Sequence, residues 1–212
     1  MPIIDRVILL LTGLVAIYLL WRLFSHKKQS TESARYDLYY MVSFLVLLVA
    51  GLLLIIFTYD ALESEFVVIV GVLIPAGLAA GLVAEFAPSW EKAMVPFALA
   101  GLVGIAVTRF VGPANVATII LACVHAVFGL TIVLLPIVVA AKGKAPGSFV
   151  LVSVGGIVIS LGGMALAFLK SERQLLFFTA DLTMTLLAPI LLVMALAYTW
   201  GLVKKMAPGK AA

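Results

Sequence analysis

Asn115–Ala140 reads NVATIILACVHAVFGLTIVLLPIVVA, 26 residues without a lysine, arginine or carboxylate. As a helix rising ~1.5 Å per residue it is about 39 Å long, more than the ~30 Å hydrocarbon core of a bilayer. Apolar and polar residues do not alternate, as the strands of a transmembrane barrel require, so the segment is predicted to cross a membrane as a helix.

Six other segments have the same character. The predicted spans are 5–24, 38–58, 66–85, 94–111, 115–140, 149–169 and 175–203. Of the 212 residues 65% are hydrophobic and 11% charged, which excludes a soluble globular chain, where about a quarter of residues carry charge. The longest connection runs from Ser25 to Asp37, and no segment is polar enough to form a soluble domain. The expectation is an all-α integral membrane protein, one polytopic membrane domain over 1–212 with about seven transmembrane helices. The run from Val7 to Leu23 lacks a positive n-region and a small-residue cleavage site, and is read as a retained first helix rather than a signal peptide.

Lysine and arginine collect on the cytoplasmic side of membrane proteins. Four of the 14 basic residues, Arg6, Arg109, Lys170 and Arg173, fall on one side of the seven spans, and the other ten fall on the opposite side. This places the N-terminus outside and the C-terminus in the cytoplasm, in a cell membrane, expected to be a bacterial cytoplasmic membrane. Trp21, Trp90 and Trp200 all fall at the inner face, where interfacial anchors belong. The net charge of +4 resides in loop lysines and gives no reason to expect a nucleic-acid partner.

Small residues mark packing faces. Ser153, Gly156, Ser160, Gly163 and Ala167 recur at helical spacing, and Gly77-Leu-Ala-Ala-Gly81 is a GxxxG step. Such faces let helices approach closely in lipid, where association depends on packing. Pro75, Pro136 and Pro189 lie inside the third, fifth and seventh spans, each removing one backbone donor.

Few residues offer chemistry. His125 lies ten residues beyond Asn115, about 15 Å into the membrane. It shares a helix face with Thr118, Ala122 and Gly129, so a protein-facing ring is expected. Three readings stand: a hydrogen bond to a neighbouring helix, an axial ligand to a haem or chlorophyll, and a proton relay. Cys123 is two positions away and does not share its face, which rejects a Cys–His metal site. Asp181 is read as a cap or interface residue of the seventh helix, or as the buried partner of Arg109 at the same end. The Glu85, Glu91 and Lys92 cluster is read as a solvated turn at the inner face, from which Glu85 alone could project back into the bundle.

The sequence has no nucleophile elbow, HExxH, Walker A loop or CxxCH haem attachment, so no enzyme class is indicated. A retinal protein would need a lysine midway along the last helix, whereas Lys204 and Lys205 stand at its end. Two functions compete. One is a non-catalytic multi-pass subunit of a larger respiratory or photosynthetic membrane complex, contacting lipid, quinone or pigment alongside other subunits or copies of itself. The other is a small oligomeric transporter or channel, with a polar path near His125, Asp181 and Arg109.

Overall fold

The computed structural model describes residues 1–29, 35–170 and 177–206. It is all-helical: α1 (Ile3–Gln29), α2 (Arg35–Phe57), α3 (Glu65–Gly71), α4 (Leu73–Phe86), α5 (Glu91–Val111), α6 (Ala114–Ala141), α7 (Val150–Lys170) and α8 (Ala180–Met206). Short 3-10 turns, Thr58–Glu63, Pro88–Trp90 and Gly147–Phe149, precede α3, α5 and α7. With α3 and α4 taken as one broken span, seven helices among the described residues are long and apolar enough to cross a membrane. Arg173, Lys210 and the first two residues of the predicted seventh span, 175 and 176, lie outside the described residues.

The break between α3 and α4 has a simple cause. Pro75 has no amide proton, so the carbonyl four residues back, that of Gly71, loses its helical partner, and α3 ends at Gly71. Ser43 of α2 joins at the break, donating its hydroxyl to the Ile74 carbonyl at 2.6 Å. The last helix begins later than the sequence indicated. Thr179 caps it, its hydroxyl oxygen accepting the Leu182 amide at 3.3 Å, so α8 starts at Ala180 and runs on to Met206.

Six helices form a closed ring. α1 packs on α2, α2 on α4, α4 on α6, α6 on α7, α7 on α8, and α8 back on α1. α5 stands outside the ring against α4 and α6, and only Gly101 and Ile105 along it are buried. Phe44, Leu78, Leu82, Met194 and Tyr198 belong to one buried cluster, and the Phe44 and Tyr198 rings meet edge-on at 6.1 Å although α2 and α8 share no backbone contact.

Glycines set the closest approaches. A β-carbon at Gly77 would lie 2.7 Å from the Tyr39 carbonyl oxygen, and one at Gly81 would overlap the Tyr40 ring. The GxxxG step is therefore the surface on which α2 rests. In α7, Gly156 receives Ile132 and Val133 of α6, as its small-residue stripe led one to expect. A second small face was not foreseen: Gly155 and Gly162 receive Tyr198 and Ile190 of α8. At Gly163 a β-carbon would meet nothing within 4 Å, and the Ala167 side chain lies outside the described residues.

These distances rank the glycines. Gly77→Ala is expected to lower stability by about 1–3 kcal/mol, because its new methyl meets backbone that has no rotamer with which to yield. Gly163→Ala is expected to leave stability unchanged or raise it. Thermal unfolding midpoints of the two purified variants in mild detergent check the order, and equal midpoints would refute the account of the α2–α4 contact.

Candidate functional site

Charged and aromatic side chains converge where α2, α4 and α8 reach the end of the bundle that carries most lysines. Gly81 leaves room for the Tyr40 ring, and one turn further along α4 the Tyr40 hydroxyl donates to Glu85 Oε2 at 2.8 Å. From the other side of the ring, Lys205 of α8 places Nζ 2.6 Å from Oε1 and 2.5 Å from Oε2 of the same carboxylate. α4 and α8 share no backbone contact, so this ion pair bridges helices that are not neighbours. The Lys205 side chain is 9% exposed and that of Glu85 14%, so both charges are largely withdrawn from solvent.

Four aromatic rings complete the surroundings of the ammonium group. The centroids of Tyr40 and Tyr36 lie 5.1 and 5.2 Å from Nζ, and those of Phe86 and Phe149 both lie 5.8 Å away. All are within the ~6 Å over which a ring face attracts a cation. A second pair lies beside Tyr36 in sequence: His26 Nδ1 and Asp37 Oδ2 are 2.9 Å apart, joining α1 to α2. The Asp37 side chain is fully buried, and its Oδ1 has no hydrogen-bond partner among the described residues. Tyr39 donates to Glu91 at 2.9 Å and ties α2 to the start of α5.

The residues singled out in the sequence lie elsewhere and apart. Arg109 is 3.3 Å from Glu65, a half-exposed pair at the opposite end of the bundle. Its partner is thus not Asp181, which is exposed in the first turn of α8, and α5 and α8 do not touch. Thr179, rather than Asp181, is the cap of α8. The same end has a polar contact that the sequence reading passed over, in which Tyr59 donates to the buried Asp5 at 2.8 Å. The Glu85, Glu91 and Lys92 segment is only partly the solvated turn expected, since Glu85 turns inward to Tyr40 and Lys205.

His125 was expected to face protein, yet it is exposed on the surface of α6. Its Nδ1 lies 3.0 Å from the Leu121 carbonyl of its own helix. A carbonyl oxygen can only accept, so Nδ1 carries the proton, and in the neutral ring Nε2 is left as a bare acceptor. Thr118 and Ala122 beside it are also exposed. A separate apolar groove of about 670 Å³ lies between α4, α5 and α6, lined by Trp90, Met94, Phe97, Thr131 and Leu134 among others. His125 does not line it, since at ~100° per residue it projects about 120° around α6 from Thr131.

The fold and site define a helical bundle with the dimensions of a polytopic membrane protein, closed at one end by a caged ion pair. No protein-family model, curated protein or solved structure matches the chain.

Removing one partner from a buried ion pair strands the other charge, which typically costs about 3–5 kcal/mol, whereas replacing both is far milder. Glu85→Gln and Lys205→Met are each expected to destabilise the protein by about 3 kcal/mol, and the double variant to recover most of the loss. Unfolding titrations in mixed micelles measure this. Additive losses in the double variant would mean that the two side chains do not act as a pair.

Proposed function

We propose that the chain is a non-catalytic multi-pass subunit of a larger membrane complex, with its N-terminus outside and its C-terminus in the cytoplasm. The observation that carries this reading is the exposed His125 near the middle of α6. An imidazole acceptor directed at hydrocarbon is costly, and polar groups at that depth are ordinarily covered by protein or ligand. The strip of Thr118, Ala122 and His125 on α6 is therefore read as the contact with a neighbouring molecule.

The tautomer narrows the choice of neighbour. Bare Nε2 is satisfied by an N–H or O–H donor of a partner helix, or by the metal of a haem or chlorophyll. An acyl chain or a quinone carbonyl offers it nothing. A metal-bound histidine commonly donates its other ring N–H to a backbone carbonyl, the arrangement that His125 makes with Leu121. The apolar groove beside α5 has the chemistry of a seat for lipid chains. The transporter reading gains no support from His125, Arg109 and Asp181, which stand on α6, α5 and α8 without converging.

Extraction from the native membrane in mild detergent tests the proposal. Partner proteins in stoichiometric amount are expected to travel with the chain, and His125→Leu is expected to weaken their retention without lowering the thermal midpoint of the isolated subunit. Bound pigment lost in the same variant would assign the metal-ligand form of the contact. Recovery of a lone homo-oligomer, unchanged by His125→Leu, would overturn the subunit reading and turn attention to transport assays.

A further inference from the structure

We propose that Tyr36, Tyr40, Phe86, Phe149 and Glu85 form an ammonium-binding site that the chain's own Lys205 holds closed. This inference is independent of the role of His125. A clamp between two helices needs one carboxylate and one cation. Here the cation has a carboxylate and four ring centroids at 5.1–5.8 Å around it. Aromatic faces combined with a negative group are the chemistry by which proteins recognise primary and quaternary ammonium ions.

The walls of the site do not depend on Lys205 for their positions. Tyr40 is fully buried against Gly81, and its hydroxyl is held by Glu85 at 2.8 Å. Tyr36 meets the Tyr40 ring edge-on at 6.2 Å. Phe149 is fully buried, and its ring contacts that of Phe86 at 5.3 Å. Walls contributed by α2, α4 and the turn before α7 thus pack on one another, whereas the occupant comes from the end of a different helix. A site ordered before its ligand arrives gives up little entropy on binding. Withdrawing Lys205 would therefore leave a formed receptor.

The location selects the ligand class. The cage lies at the lysine-rich end of the bundle, near the level of Trp200 and Trp90, both exposed as interfacial anchors are. Ligands at that level include the ethanolamine headgroup of a phospholipid and free alkylamines, whose primary ammonium has the same chemistry as Lys205 Nζ. Either source would have to displace a tethered competitor, so the intact protein stays closed to both.

The test is chemical rescue of Lys205→Ala, with n-butylammonium chloride as the probe. The variant is expected to lose thermal midpoint in detergent, and to regain at least half of that loss with the amine but not with equal sodium chloride. Wild type should not respond, and Lys205→Ala/Glu85→Gln should lose the response. Where Lys205→Ala is recovered folded only with the amine present throughout extraction, that dependence is itself the expected rescue. Nanodiscs separate the sources. Stabilisation of Lys205→Ala by phosphatidylethanolamine over phosphatidylglycerol assigns the headgroup, and a response to butylammonium alone assigns the free amine. A folded Lys205→Ala indifferent to every amine, an equal response in wild type, a response that survives Glu85→Gln, or failure to recover folded protein with or without amine would each overturn the proposal.

Discussion

Glu85 and Lys205 stand on helices whose backbones do not touch, and their ion pair spans the ring at one end. Elsewhere each helix is held by its two neighbours, through small residues that admit large ones. In the middle of the bundle Phe44 and Tyr198 fill the space that neighbour packing leaves. At the lysine-rich end the filling is polar. A carboxylate and an ammonium group in so withdrawn a place are tolerated only together, so the position of α8 relative to α4 is specified there by charge as well as by shape. Tyr40, seated against Gly81, and Phe149, packed on Phe86, line the place that the pair occupies.

Most of the fold was legible in the sequence because a chain of long, uninterrupted apolar segments has so few structures open to it. Seven long apolar segments became seven helices long enough to cross a membrane, and a proline at 75 accounts for a helix that breaks at Gly71. The GxxxG step and the Gly156 stripe announced two of the ring's contacts. Gly155 and Gly162 were harder to read, since they serve a second face of α7 and differ from the first only in which neighbour they meet. The start of α8 was misplaced because Phe177 and Phe178 are as apolar as the helix itself. The cap at Thr179 sets the boundary, and a hydropathy pattern does not register a cap.

The site was much less legible. Lys205 follows Lys204 at the end of a helix, where lysines ordinarily report topology, and nothing local distinguishes one from the other. In the structure Lys204 lies over Trp200 on the outside, while Lys205 enters the ring. The four cage rings are spread from residue 36 to residue 149 and have no common motif. Glu85 gave the one available signal, a carboxylate on the bundle side of a helix end. His125 misled in the opposite direction. Its small neighbours resembled a packing face, and α7 does rest on that face one and two turns further along α6, at Gly129 and Ile132, yet Ala122 and Thr118 themselves are exposed.

The contact between α1 and α8 also bears on when the structure can form. In the membrane reading proposed above, a chain made from its N-terminus inserts α1 first and α8 last of the eight helices. Until α8 arrives, α1 is held by α2 alone, and the ring is an open crescent. Leu9 on α1, which ends almost wholly buried in a cluster that includes Ala188 of α8, would meanwhile lack that part of its cover. Biogenesis thus has a single late closing event, and Lys205, near the end of α8, is among the last residues to take its place.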